Sequence, residues 1–288
     1  MIPRAFDYVR PSSVSEAIAL LTGGGEGTKL LSGGHSLLPM MKLRLADPST
    51  LVDVSELADL RGITIGASEI VVGAATTHAE LEHHAELASV APMFAVVAHQ
   101  IADPTVRNRG TLGGSLAHAD PSADWPAAML ALDATIDIVG AKGPRSIAAD
   151  SFFKGLFETD LASDEIIVRV RVPVVTAQRV AYRKFRHPAS GYAVVGVAVA
   201  LGMQAGRCTG GRIAVTGFAD HVYRAKEAEV ALAGYTGQSE QTGHLLDLAF
   251  DGITALEDRF ADADYRTQLG RTMLRRALAD AISTDGSH

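Results

Sequence analysis

A single cysteine, Cys208, stands in 288 residues, and that scarcity excludes more than any other feature of the composition. No internal disulfide is possible, which suits a reducing cytoplasm. An iron–sulfur cluster held by this chain alone is excluded as well, because such a cluster takes about four cysteine ligands. Basic charge is also short: 26 Lys and Arg stand against 33 Asp and Glu, a formal net charge of −7 with a pI near 5.8. The basic residues are scattered, so nothing draws the chain to nucleic acid or to an anionic membrane. No run reaches the roughly 18 apolar residues of a membrane span, and the opening MIPRAFDYVRP lacks the apolar segment of a secretion signal. The expectation is a soluble, unexported, folded protein. Core material is plentiful at 47% hydrophobic residues, enough for two modest domains or one large one.

Along the chain, Ser12 or Ser13 is placed to cap a helix over residues 14–21, where Val14, Ala17, Ile18 and Leu21 share a face and Gly23 to Gly25 stop it. Short strands are predicted at 29–31 and 51–54, and residues 63–72 alternate through a turn at 66–69 as a hairpin does. Thr77 is a cap for a helix from His78, and residues 88–100 read as one buried helix. Residues 101–126, IADPTVRNRGTLGGSLAHADPSADWP, carry three glycines and three prolines with little periodicity. A long irregular stretch between apolar segments points to function.

Beyond it, after residues 127–132, strand signals return at 135–139 and 165–172, with a boundary at about 174–178. The last third reads as strands at 181–185, 193–203 and 212–216, then helices at 225–233 and 265–282. The fold class is α+β.

Two elements carry chemistry. Ser32-Gly33-Gly34-His35-Ser36 and Thr111-Leu112-Gly113-Gly114-Ser115 each flank a glycine pair with hydroxyls. That arrangement surrounds phosphate oxygens with N–H and O–H donors where no side chain obstructs the approach. Neither matches the nucleoside-triphosphate loop or the G-x-G-x-x-G fingerprint. Taken singly, each is also a sound tight turn.

The stretches SGGHSLLPMMKLRLADPSTLVDVS and VRNRGTLGGSLAHADPSADWPAA closely resemble the two flavin-binding signatures of the FAD-binding medium subunits of molybdenum hydroxylases, the xanthine dehydrogenase family. The likeness is strongest to the aerobic carbon monoxide dehydrogenase branch and runs on through TGFADHVYRAKEAEVALAG to the C-terminal helix. It implies a two-subdomain FAD-binding domain of the vanillyl-alcohol-oxidase type over 1–176, split at about 56, and a smaller α+β domain with an antiparallel sheet over 177–288.

The resemblance also implies a site. Leu31, Ser32, Gly33, Gly34, His35, Ser36, Leu37 and Leu38 become the first loop over the FAD pyrophosphate; Gly110, Thr111, Leu112, Gly113, Gly114 and Ser115 become the second. Asp124 matches an acidic residue beside the cofactor, Ile167 a backbone or apolar flavin contact and Lys184 a basic residue at the polar edge of the ring. Ile101 and Tyr192 match the residues that bracket the isoalloxazine, and Asp120 completes the set. Without the family, Tyr192 is a strand-end aromatic, Lys184 a surface residue and Asp124 a helix cap before Trp125 and Pro126. His35 suits a small polar neighbour of phosphate. HAELEHH, with His78, His83 and His84, has no companion ligands and reads as a solvated helix face. No catalytic and no metal-ligating residue is assigned.

As the resemblance has it, substrate oxidation happens elsewhere: a large partner holds the molybdenum cofactor, a small partner two two-iron two-sulfur clusters, and electrons reach FAD here before leaving to a quinone or another acceptor. The implied assembly is a dimer of heterotrimers, cytoplasmic or resting on the inner membrane face through its partners. The cysteine-rich loop of some benzoyl-coenzyme A reductase relatives is absent. Related medium subunits serve purine, N-heterocycle and aldehyde oxidation. Other classes left open are a stand-alone FAD-dependent oxidase and a scaffold subunit whose glycine loops are only turns. A cationic Lys184 beside the ring would make Lys184→Ala harder to reduce.

Overall fold

The computed structural model describes residues 2–175 and 178–283. The expected domain boundary between 176 and 177 lies outside the described residues. Near the N-terminus, Asp7–Val9, Thr50–Asp53 and Thr28–Leu31 form a three-stranded parallel sheet in that order. The helix Val14–Gly24 connects its two edge strands. The Ser13 hydroxyl accepts the Glu16 N–H at 3.1 Å, so a cap opens the helix where the sequence predicts it. Ala17, Ile18 and Leu21 are buried against Val52 and Val54, and Gly25 at φ 61° turns the chain out of the helix.

The second unit is an antiparallel sheet ordered Ile63–Ile65, Glu69–Gly73, Glu165–Pro173, Thr135–Gly140, Gly143–Ala148. Glu165–Pro173 is its central strand and divides two cores: Ile166 and Val168 face the N-terminal unit, while Ile167, Val170 and Val172 face the main core. The register shift between Ile167 and Arg169 moves the alternation by one, so that Val170 and Val172 join Ile167 on the main-core side and not Ile166 and Val168. Trp125, Phe94 and Phe152 fill the main core from short helices, and all three are fully buried.

The third unit is an antiparallel sheet of Gln178–Arg186, Ala193–Gln204, Arg207–Thr216 and Tyr223–Arg224. Its long strand is apolar on both faces and alternates by size rather than polarity. Ala198 and Ala200 face the main core, and their small side chains admit the helix Asp124–Ala131 closely; Val195, Val197, Val199 and Leu201 face the helices Ser239–Phe250 and Ala263–Ser283. Burial of each of those larger side chains contributes about 1.5–3 kcal/mol.

Several expectations need correction. Residues 88–100 are two helices, Ala85–Val90 and Met93–Gln100, because Pro92 has no N–H to continue the first. The stretch 101–126 is not irregular throughout: it contains Pro104–Arg107, Leu112–His118 and the start of Asp124–Ala131. Pieces this short show little periodicity, and the first two begin at side-chain caps, Asp103 and Thr111. The strand Gly143–Ala148, the small hairpin Phe153–Gly155 with Glu158–Thr159, and the helix Ser239–Phe250 went unread. The helix expected at 225–233 covers only Lys226–Val230. No helix among the described residues is long and apolar enough to cross a membrane.

Candidate functional site: two glycine loops at the domain junction

The first loop leaves the strand Thr28–Leu31, whose end is pinned by the Val54 N–H donating to the Leu31 carbonyl at 2.9 Å. Gly34 turns at φ 75°, a conformation that disfavours any side chain. From Ser32 to Leu37 no backbone N–H donates to an acceptor among the described residues. Leu38 N–H bonds back to the Gly34 carbonyl at 3.0 Å, and the helix Leu37–Lys42 follows. Six successive donors are thus held in a turn without a protein partner, the arrangement that cradles an anion.

The second loop is built differently. Gly110 N–H donates to Val106 O, Leu112 N–H to Thr76 O and Gly113 N–H to Ala74 O, all at 2.7–3.0 Å. Thr111 caps the helix Leu112–His118, its hydroxyl accepting the Gly114 N–H at 3.2 Å. Its donors are therefore directed inward, and the expectation that both loops offer their N–H groups alike is corrected. A Cβ on Gly113 would lie 2.5 Å from Ala74 Cβ, so that glycine serves packing. The loops meet: the Ser32 and Thr111 hydroxyls are 3.0 Å apart. Leu112 and Gly113 are buried, while Gly114 is exposed and Ser115 partly so.

At the other end of the site, Ile101 closes the helix Met93–Gln100 and Ala102 turns at φ 41°. Gly191 comes up to it, a Cβ there lying 3.7 Å from Ala102 Cα, which brings Tyr192 beside the Ile101 segment. The Tyr192 side chain interacts with Ser36 of the first loop, and burial of the hydroxyl together with the Asp120 charge raises its pKa. Tyr192 keeps 40% of its surface open. Asp120 accepts the Ser122 N–H at 2.9 Å and shapes the turn before the next helix. The structure thus joins Ser36, Ile101, Asp120 and Tyr192 around one junction.

Asp124 and Lys184 are not what either sequence reading alone describes. Asp124 is the first residue of its helix rather than its cap, and its carboxylate faces inward. Lys184 Nζ lies 2.8 and 2.9 Å from its two oxygens, and the Tyr182 hydroxyl donates to the same carboxylate. The Lys184 side chain is 1% exposed, so it is no surface residue and no lone cation. Burial pushes the Asp124 carboxyl up against the pull of Lys184, and burial pushes Lys184 down against the pull of Asp124. Ile167 has its side chain in the main core; next to it, Val168 O accepts the Ala74 N–H, whose own carbonyl holds Gly113.

Sequence reasoning missed Tyr182, Trp125 and His78. The His78 ring is not on a solvated face: it is 5% exposed and accepts the Trp125 indole N–H at Nδ1, 3.0 Å away. Burial, with help from His35 and Arg107, holds its pKa down to about 3. Burial and Arg109 also lower that of His35. Tyr182 was legible only as one inward position of a strand; Trp125 had a signal, as the only tryptophan beside the motif. His83 and His84 make local helix contacts, and among the described residues no cluster of His, Cys, Asp or Glu could hold a metal. A cavity of about 560 Å³ lined by Tyr235, Thr242, Arg275 and Ile282 shares no residue with the loops.

Comparison with known proteins agrees along the whole chain. Residues 4–175 match the family described as the FAD binding domain in molybdopterin dehydrogenase, and residues 180–281 the CO dehydrogenase flavoprotein C-terminal domain. The carbon monoxide dehydrogenase medium chain of Hydrogenophaga pseudoflava is 40% identical over 96% of this chain and 97% of its own. That of Afipia carboxidovorans is 39% identical over 98% of each, and a 6-hydroxypseudooxynicotine dehydrogenase subunit of Paenarthrobacter nicotinovorans 36% over 98% and 96%. Among solved structures, the Hydrogenophaga carbon monoxide dehydrogenase superposes with a TM-score of 0.95 at 41% identity, covering 98% of both chains. Quinoline 2-oxidoreductase from Pseudomonas putida reaches 0.92 at 35%, again covering 98% of both. With both domains matched and relatives aligned over nearly their full length, the chain belongs to the family of FAD-binding medium subunits of molybdenum hydroxylases.

Proposed function

We propose that this chain is the electron outlet of an aerobic carbon monoxide dehydrogenase: it takes FAD between its two glycine loops and passes electrons from an iron–sulfur partner to an external acceptor such as a quinone. The observation that carries the reading is the first loop, whose backbone donors from Ser32 to Leu37 are unsatisfied among the described residues and are held against Thr111. That loop fits a diphosphate, whose oxygens only accept hydrogen bonds. The FAD would supply the redox chemistry, accepting and releasing electrons.

This chain's own residues bind and orient. Ser32 to Ser36 and Thr111 would hold the phosphates, with Gly114 and Ser115 at the exposed rim; Ile101 and Tyr192 would line the ring; Asp120 and the neutral Asp124–Lys184 pair would set the polarity around it. The relatives named for carbon monoxide support that substrate for the complex, with a large molybdenum subunit and a small subunit of two two-iron two-sulfur clusters as partners in a dimer of heterotrimers. A single cysteine leaves those clusters to the partner. Relatives named for nicotine and quinoline favour an N-heterocycle as the second reading of the substrate.

The test is gentle affinity purification from the native host with metal analysis, visible spectrum and mass spectrometry, followed by addition of carbon monoxide. Molybdenum, iron and FAD recovered with two partner chains, and bleaching of the flavin by carbon monoxide, are expected. Bleaching by an N-heterocycle instead would move the substrate, and a yellow chain recovered alone and oxidising an organic compound would overturn the reading.

A further inference from the structure

We infer that His78 is a ligand-binding residue: a neutral N–H donor aimed at the phosphate-bearing part of the ligand between the glycine loops, its tautomer fixed by Trp125. The inference rests on the FAD reading and adds a residue to it. His78 opens the helix His78–His83, where Thr77 and Glu80 form a reciprocal capping box that fixes the backbone. The His78 N–H donates to the Gly110 carbonyl at 2.9 Å, tying this helix start to the second loop.

The side chain is oriented by the only kind of bond an indole can make. Trp125 Nε1 is a donor and never an acceptor, so His78 Nδ1, at 3.0 Å, must present its lone pair and the ring proton sits on Nε2. The two ring nitrogens point in widely different directions, so Nε2–H points away from Trp125. It lies beside Gly110, where a Cβ would stand 2.7 Å from Nε2. Gly110 in turn abuts Gly33 of the first loop. In a residue that is 95% enclosed, this N–H has no acceptor among the described residues. Nor is it sealed off, since the one fully buried, unpartnered side-chain nitrogen among them is Nε of Arg212.

A donor that reaches open space and has no acceptor among the described residues is free to be completed by a ligand. The chemistry suits a phosphate oxygen, an acceptor only. Burial first, and then the nearness of His35 and Arg107, keeps the ring uncharged, so it donates without adding charge.

The experiment compares the full chain with His78→Asn, in which Oδ1 can still accept from Trp125 but the distal N–H is gone. Binding of FAD, of ADP and of riboflavin, which lacks phosphate, is measured by titration calorimetry or flavin fluorescence, with thermal unfolding of the ligand-free chains alongside. The expected result is about tenfold weaker FAD and ADP binding with riboflavin binding unchanged. Equal FAD affinity in both chains, or equal loss of FAD and riboflavin, overturns the inference while leaving FAD binding intact. Failure of the unsubstituted chain to take up FAD overturns the underlying reading and this one with it. Should the variant not fold, nitrogen NMR of histidine-labelled unsubstituted protein decides: the Nε2–H tautomer with an Nε2 shift that moves on adding ADP is expected, and an Nδ1–H tautomer or an unmoved signal refutes it.

Discussion

Gly33 and Gly110 touch through their backbones: a Cβ on Gly33 would lie 2.8 Å from Gly110 Cα and 2.2 Å from the Arg109 carbonyl oxygen. Real Cβ atoms do not approach backbone so closely, and neither neighbour is a flexible side-chain end. Gly33→Ala is therefore expected to force the loops apart, destabilising the chain by about 1–3 kcal/mol and weakening FAD uptake. Chemical denaturation and flavin titration check it; an alanine variant with unchanged flavin affinity would mean that the loop spacing is irrelevant to the ligand.

That contact also marks the limit of what the sequence discloses. The glycine pairs are visible as turns, and the flanking hydroxyls as potential phosphate ligands, but an N–H looks the same in a sequence whether it faces a ligand or Ala74 O. The Thr77 cap was legible because capping is local, with Glu80 three residues on. The Asp124–Lys184–Tyr182 cluster was not, because its members lie about 60 residues apart and a Lys in an alternating strand reads as an outward position. Register decides which face is inward, and register is set by pairing with distant strands. Short helices such as Leu112–His118, with two glycines inside, defy propensity because Thr111 caps them and Ala74 needs the space.

The paired state of Lys184 changes what its removal should do. A lone cation beside the ring would make Lys184→Ala lower the flavin potential; a cation within 2.8 Å of a buried carboxylate carries no net charge to lose. Deleting the ammonium leaves a desolvated carboxyl that takes up a proton instead. Lys184→Met is expected to destabilise by about 3–5 kcal/mol, with most of that regained in Lys184→Met/Asp124→Leu, and to leave the potential nearly unchanged. Urea unfolding and spectroelectrochemical titration measure these, and a large negative shift of potential would restore the lone-cation view.

Arg266 anchors the last helix to the third sheet. Its guanidinium, almost wholly buried, donates to the carbonyls of Leu256, Val194 and Gly217 at 2.6–2.7 Å and to Asp258. Arg266→Ala leaves three carbonyls unsatisfied and is expected to cost about 3–5 kcal/mol. Arg266→Lys should recover only part, since one ammonium cannot reach across the fork. Full recovery by lysine in equilibrium unfolding would argue that charge alone matters there.

The enclosed His78 should make the fold acid-sensitive in a defined window. Its pKa falls from the ordinary value of 6.5 to about 3 on folding, chiefly by burial. Between those values the unfolded chain binds a proton that the folded chain does not, so stability rises with pH across that range and levels off above it. The slope from this one group is at most about 1.4 kcal/mol per pH unit. Unfolding free energies of the unsubstituted chain and of His78→Asn, measured from about pH 4.5 to pH 7.5, should therefore diverge as pH rises from the acid end, the variant having the shallower dependence. Parallel curves would mean that His78 takes up its proton without unfolding, which requires the Trp125 N–H to release Nδ1 or the ring to reach solvent.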